Sequence, residues 1–386
     1  MEDTYGHTPA SKAIGSGDVY GVGFDERNTS RRSLRLGIIG AGPVVQSKHW
    51  PAIQRLRVIW EPIEVVAFAL RTRHQAQKVQ AVFNASWYDD YRKMLEEEEL
   101  DGVLVSSSDD VHFEHAMACI QKGLPVLIEK PITRSLTEAE NLCKAADKGG
   151  VTLMTVSNKR YSPPYARAKQ FIESGPLTDP AMLVGKFNLG YDYVDLFESG
   201  TIHLFDLARF LMGDVRRVRA VGVNKYDLSK RKYPVDNAII QLEFHNGSIG
   251  TLYTSSSALS FKPWERVEVY GQRAWLDVDD QYTLTLHDSE TEGSKSWSPV
   301  MPNTLLFDEE FGGFTGLIEN FAQAIRGNEL PKVTGWDGYR ALELLYATEL
   351  SLNENGAIVE LPLEPEIATK TGKKWISSRG WPGRSI

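Results

Sequence analysis

The sequence predicts an α/β protein in two units: a doubly wound parallel sheet, then an α+β unit built on a large open, mostly antiparallel sheet. Three observations carry that reading. Apolar runs of strand length alternate with helix-length gaps through residue 157, the pattern of strand–helix–strand crossovers. The first of those runs ends in a tight glycine turn, Gly40-Ala41-Gly42. From about residue 180 the chain changes to long alternating segments broken by turn signals such as Asn246-Gly247, as antiparallel hairpins require. A length of 386 residues also fits two units better than one.

Composition narrows the function classes. With 42% hydrophobic, 24% charged and 10% aromatic residues, the chain has the material for a large core. A net charge of -8 argues against nucleic acid as a partner, because phosphate binding needs a basic face. The two cysteines, Cys119 and Cys143, both fall in helical patterns, so neither a disulfide framework nor a cysteine zinc site is expected, no metal is assigned, and a reducing, cytoplasmic setting fits. No apolar run approaches the roughly 18 residues of a membrane span. Arg31-Arg32 ahead of "LRLGIIGAG" has the outline of a twin-arginine export signal. The glycine turn and the long folded pattern after it favour a first strand instead. Residues 1–33, rich in Gly, Ser, Thr and charge without periodicity, are expected to be a flexible arm.

The elements follow in order. "LRLGII" is the first strand, and the turn after it suits a dinucleotide: the first glycine permits the bend, the second lets backbone approach a pyrophosphate, and the following helix offers free N–H groups. The third glycine of such a fingerprint falls at position 45, which is Val45. An ordinary strand–turn–helix explains the stretch equally well on its own. "IEVVAFAL" (63–70), "LDGVLVSSS" (100–108) and "LPVLI" supply three more strands. Ser106, Ser107, Ser108 and Lys130 stand at the carboxyl ends of strands, where ligands of such sheets bind. The second strand ends Leu70-Arg71-Thr72-Arg73. Loss of an acid and gain of arginine favour a 2′-phosphate and hence NADP(H) over NAD(H); stacking of Arg71 on adenine, neutral to the choice, is the other reading. Ser135 and Glu138 have capping-box spacing for the next helix.

In the second half, 237–254 and 266–278 read as hairpins, and "FTGLIENFAQAIRG" and "GYRALELLYATELSLNENG" as helices. Within 198–214, His203, Asp206, Leu207 and Phe210 share a helix face. His203 is either a core histidine satisfied by Asp206 or a proton-transfer group facing a cleft.

Taken together, "GIIGAG" with His49 and Pro51, "SSSDDVH" ending in His112, "EKPI", "NKRYSP", "GTIHLFDLARFLMG", "VDNAIIQLEFHNGSIGTL", "IENFAQAIRG" and "DGYRALELLYATELS" give residues 34 to about 362 a resemblance to the Gfo/Idh/MocA oxidoreductases. The resemblance implies a Rossmann dinucleotide-binding domain over 34–157 and an α+β substrate and oligomerisation domain with a C-terminal tail over 158–386. It implies NAD(P), which the Leu70-Arg71 reading above leans to NADP(H), bound by Gly40, Gly42, Pro43, Val44, Arg71, Ser106, Ser107, His112, Glu129 and Lys130. Lys130 of "EKP" would stand beside the nicotinamide and contact the substrate hydroxyl, with a cis bond to Pro131 as one way to direct it. Lys130, Arg160, Ser199 and His203 would hold the substrate, Lys130 and His203 doing the chemistry. The family's usual aspartate falls at Ser199, with Glu198, Asp192 and Asp195 as neighbouring carboxylates, and its usual glycine at Thr201. The implied activity is hydride transfer between a nicotinamide and a hydroxyl or keto carbon of a sugar, glycoside or cyclitol. A hydrolase or lyase that retains NAD and oxidises its substrate transiently, and a nucleotide-binding regulator without turnover, are the alternatives. A homodimer or homotetramer through the second sheet is expected, with no membrane partner.

Overall fold

A computed structural model describes residues 32–58, 61–188, 195–225, 235–256, 264–280, 282–289, 294–298 and 312–366. The first sheet holds β1 (Leu34–Ile39), β2 (Ile63–Ala69), β3 (Ser86–Tyr88), β4 (Gly102–Val105), β5 (Val126–Ile128) and β6 (Leu153–Thr155) in the order β3-β2-β1-β4-β5-β6. Every pairing is parallel. The four expected strands are present; β3 and β6, three residues each, are too short to carry a periodic signal. The chain changes direction at β1, so the crevice beyond the carboxyl ends of β1 and β4 is where a ligand of this topology sits.

Helices α1 (Trp50–Val58), α2 (Arg73–Phe83), α3 (Tyr91–Glu97), α4 (His112–Gln121) and α5 (Leu136–Gly149) cover the two faces. Ser135 caps α5 as its sequence suggested, accepting from the Glu138 N–H, and Gly150 closes the helix at φ 62°. Both cysteines are buried and unpaired in disulfides.

The second sheet holds β7 (Met182–Asn188), β8 (Val215–Val223), β9 (Asn237–Phe244), β10 (Ile249–Ser255), β11 (Glu265–Tyr270), β12 (Ala274–Asp279), β13 (Thr283–Asp288), β14 (Ser294–Trp297) and β15 (Val359–Glu360) in the order β14-β13-β12-β11-β7-β10-β9-β8-β15. Only β7 and β10 pair in parallel; the rest are antiparallel. The inner face packs Ile240, Leu242, Leu252, Val267 and Leu276 on α6 (Pro163–Ser174) and α7 (Ile202–Met212), through Tyr165, Phe205 and Leu211. Each large side chain so buried contributes about 1.5–3 kcal/mol.

The last two helices cross back. In α8 (Phe314–Ile325), Leu317, Ile318 and Phe321 join the core of Ile38, Ile53 and Leu56 in the first unit. In α9 (Gly335–Asn353), Tyr339, Leu342 and Tyr346 pack with α4 and α5, while Leu344, Leu345 and Leu352 pack under the second sheet. Sequence order had assigned both helices to the second unit. The burial of α9 around most of its circumference explains its sandwiched place, since a helix apolar all round must be covered on all sides.

Candidate active site

At the end of β1, Gly40 has φ 85°, and a Cβ there would lie 2.5 Å from the Ser106 carbonyl oxygen and the Ser107 nitrogen. Only glycine allows β1 and β4 to approach this closely. A Cβ on Gly42 would meet nothing within 4 Å; its free side is the cleft itself. Val45, at the third-glycine position, is fully buried in the core. It opens a π-helical turn, Val45–His49, that leads into α1. A second π-helical turn, Phe197–Thr201, leads into α7. Such turns are rare and concentrate at functional sites; both of these border the same cleft.

That cleft has a volume of about 1870 Å³ and runs from the ends of β1 and β2, past β4 and β5, to α7 and the rim of the second sheet. It exceeds the roughly 300–1,000 Å³ of a single small-ligand pocket, as a dinucleotide plus a substrate demands. Gly40, Gly42, Pro43, Val44, Arg71, Ser106, Ser107, His112, Glu129, Lys130, Ser199 and His203 all line it. At the β2 end, Leu70 turns its carbonyl to the Trp87 indole N–H at 2.9 Å, and Arg71 stands exposed at the rim. Tyr91 and His115, which the sequence did not single out, also line this end. Their rings lie 4.4 Å apart, and the His115 Nδ1 is 2.9 Å from the Ser107 hydroxyl.

Lys130 follows β5, and its bond to Pro131 is cis. Its ammonium donates to the carbonyl oxygens of Ser199, at 3.2 Å, and Glu198, at 3.4 Å. The π-helical turn thus grips the lysine with backbone, and position 199 needs no carboxylate to do so. Burial pushes the Lys130 ammonium below its ordinary value, opposed by Glu129, Glu198 and Asp109 and reinforced by Lys159. Glu129, also in the cleft wall, meets the Nε2 of buried His49 at 2.7 Å. His112 ties the strand ends, its ring nitrogens 2.9 Å from the Pro131 carbonyl oxygen and 3.1 Å from that of Ser107.

From the opposite wall comes His203, near the start of α7. Among the described residues nothing hydrogen-bonds its imidazole. Burial, then Lys130, then Lys159, hold it well below its ordinary value of 6.5, so the ring is a neutral base at physiological pH. Lys159 lines the cleft beside it. Its ammonium pairs with Glu265, whose other oxygen accepts from the Tyr165 hydroxyl at 2.8 Å, and it lies 5.4 Å from the Phe187 ring centre.

The N-terminal residues 34–157 match a family model described as an oxidoreductase family with an NAD-binding Rossmann fold, and residues 198–361 match the C-terminal alpha/beta domain of the same family. The chain belongs to the Gfo/Idh/MocA oxidoreductase family. It is 27% identical to a myo-inositol 2-dehydrogenase of Thermotoga maritima, over 84% of this chain and 98% of the relative. It is 25% identical to a D-apiose dehydrogenase of Paraburkholderia graminis, over 74% and 79%. A crystal structure of a probable dehydrogenase from Thermotoga maritima superposes with a TM-score of 0.70 at 26% identity, covering 85% of this chain and 98% of that one.

Within this Gfo/Idh/MocA enzyme, the structure corrects two expectations. Arg160 does not reach the cleft. Its guanidinium turns inward and donates to both carboxylate oxygens of Asp206, at 2.9 and 2.6 Å, and to Asp337 at 3.0 Å. Lys159 takes the cleft position in its place. Both residues sit in a 3-10 turn, Asn158–Tyr161, where neighbours diverge by about 120°, so only one of them can face the cleft. For the same reason Asp206 is not the partner of His203, because Arg160 occupies its carboxylate. Ser199 contributes its carbonyl. Of the neighbouring carboxylates, Asp195 and Glu198 line the cleft, and Asp192 lies outside the described residues. Asp195 is held above its ordinary value by burial, despite the Glu198 and Phe197 N–H groups that donate to it at 2.7 Å.

Proposed function

We propose that this oxidoreductase interconverts a secondary alcohol and a ketone on a cyclitol or sugar ring, with Lys130 and His203 flanking the reacting oxygen. The observation that carries this reading is the convergence, at one end of the cleft, of an ammonium held by two backbone carbonyls and a neutral imidazole that no described residue hydrogen-bonds, each from a different wall. Gly40 and Gly42 with the Ser106–Ser108 edge form a cradle that fits a dinucleotide, the pyrophosphate at the turn after Gly42. A bound nicotinamide supplies the hydride acceptor. His203 takes the hydroxyl proton as the carbon gives up its hydride, and Lys130 steadies the negative charge that develops on oxygen. Lys159 and Glu265 offer donor and acceptor side by side, the pairing a polyol hydroxyl can satisfy in both directions. The inositol and apiose dehydrogenases above support the ring-polyol class.

NADP(H) is the preferred cofactor in this reading, since Arg71 stands at the end of β2 where a 2′-phosphate would lie. The outward face of the second sheet exposes Val221, Val223, Ile239 and Tyr253 on β8, β9 and β10. This supports a homodimer or homotetramer built through that face. No helix among the described residues is long and apolar enough to cross a membrane, and two free buried thiols suit a reducing, cytoplasmic compartment. The test is purified protein with NAD or NADP and a panel of inositols, pentoses and hexoses, followed at the reduced-nicotinamide absorbance. Reduction with at least one ring polyol is expected. A protein that binds the cofactor yet reduces it with none of them overturns the reading.

A further inference from the structure

Behind Lys130 lies a pair of residues to which the chemistry above gives no part. His49 has no exposed surface, although it sits only nine residues beyond Gly40. Its Nε2 is 2.7 Å from Glu129 Oε1. Its Nδ1 is buried without a partner, and its ring stands edge-on to Phe314 at 5.1 Å between centres. A buried polar atom left unpaired is costly, so the single hydrogen bond the ring does make, to Glu129, decides how it is held. An ionised carboxylate can only accept, so the His49 Nε2–H donates to Glu129. The second oxygen of Glu129 accepts the backbone N–H of Lys130 at 3.1 Å. Burial works to raise the Glu129 carboxyl, and the His49 hydrogen bond together with the neighbouring charges outweighs it, so the group is held below its ordinary range.

We propose that His49 and Glu129 form a positioning unit for Lys130: the buried histidine orients the Glu129 carboxylate, and that carboxylate takes the Lys130 backbone N–H and sets its negative charge beside the cleft lysine. The titratable and charged groups around Lys130 are Glu129 on its own strand, Asp195 and Glu198 on the π-helical turn, Lys159, Asp109 and the neutral His203. Of these, Glu129 is the largest influence holding the ammonium up against burial, and Asp195 spends its carboxylate on two backbone N–H groups. The proposal rests on the oxidoreductase reading for its effect on turnover only.

The primary experiment therefore needs neither cofactor nor substrate. Competitive acetylation with acetic anhydride across a pH series, read by mass spectrometry on the peptide carrying Lys130, reports the titration of its amine. In Glu129→Gln the midpoint should fall by about one pH unit, as loss of an opposite charge within reach implies. His49→Phe keeps a ring against Phe314 but cannot donate, and should shift the midpoint in the same direction; it serves equally if Glu129→Gln does not fold. His49→Gln retains an N–H donor and should keep the wild-type midpoint. With a substrate in hand, Glu129→Gln should lose about tenfold or more in kcat, as expected for a hydrogen bond to a charged group, with the alkaline limb of its pH profile moved to lower pH. A midpoint unchanged in the folded variants, or shifted equally by His49→Phe and His49→Gln, overturns the proposal. An enzyme silent toward every polyol would sink the oxidoreductase reading and leave this one standing.

Discussion

Replacing Arg160 by methionine tests whether that residue belongs to the substrate site or to the frame. In the structure it is a buried linchpin, its side chain 9% exposed between Asp206 at 6% and Asp337 at 20%. Its loss falls unequally on the two acids. Asp337 keeps Arg209 at 3.3 Å and its capping hydrogen bonds from Thr334, at 2.9 and 3.0 Å. Asp206 loses both hydrogen bonds and is left a buried carboxylate with no counter-charge. Breaking one side of a buried ion pair costs about 3–5 kcal/mol, and the intact partners of Asp337 put the expected loss toward the lower end of that range. Urea unfolding followed by circular dichroism should show a lower midpoint with an unchanged slope. Arg160→Met/Asp206→Leu, which removes the stranded acid, should recover much of the loss. Below the unfolding transition, KM for a polyol should stay near the wild-type value. A variant as stable as wild type but with KM raised severalfold would refute the argument and return Arg160 to the substrate site.

The two glycines of the first turn should separate cleanly. Gly40→Ala should destabilise the fold through its positive φ and its 2.5 Å approach to Ser106 and Ser107, whereas Gly42→Ala should leave thermal stability near wild type and weaken cofactor binding measured by fluorescence titration. Arg71→Ala should lower the NADP/NAD affinity ratio by roughly the tenfold that a charge-assisted contact is worth; an unchanged ratio removes Arg71 from cofactor choice. His203→Ala should cut turnover by about 10²–10⁴-fold with cofactor affinity intact, and near-normal turnover would move the base to Asp195 or Glu198. The pH dependence follows in sign: burial and then two lysines hold the imidazole below its ordinary value, so the neutral ring is the base. Lys159→Met/Glu265→Gln, which removes one cation without stranding a buried acid, should let its value rise and move the acidic limb of kcat to higher pH.

Much of this protein was written in short-range pattern. The apolar runs of β1, β2, β4 and β5, the turn at Gly40, the Ser135 cap and the Asn246-Gly247 hairpin follow from local rules, because burial period and backbone conformation are properties of a few adjacent residues. Lys130 was legible for a related reason: a charged residue at the carboxyl end of a buried parallel strand has only the ligand crevice to face. Tertiary structure decided the choices between neighbours. Lys159 and Arg160 are both cationic and adjacent, and only the direction of one 3-10 turn sends the first to the cleft and the second to Asp206. His49 carried no local sign that it would meet Glu129, 80 residues away, and Asp206 looked like a partner for His203 until Arg160 claimed both its oxygens. Position 199 lacks a carboxylate, yet Ser199 still holds Lys130, because the π-helical turn aims a backbone carbonyl that no side-chain identity reveals. Helices α8 and α9 complete the first core from the far end of the chain, since hydrophobic burial is indifferent to sequence order and the uncovered faces of the first sheet take whichever apolar helix the chain returns to them.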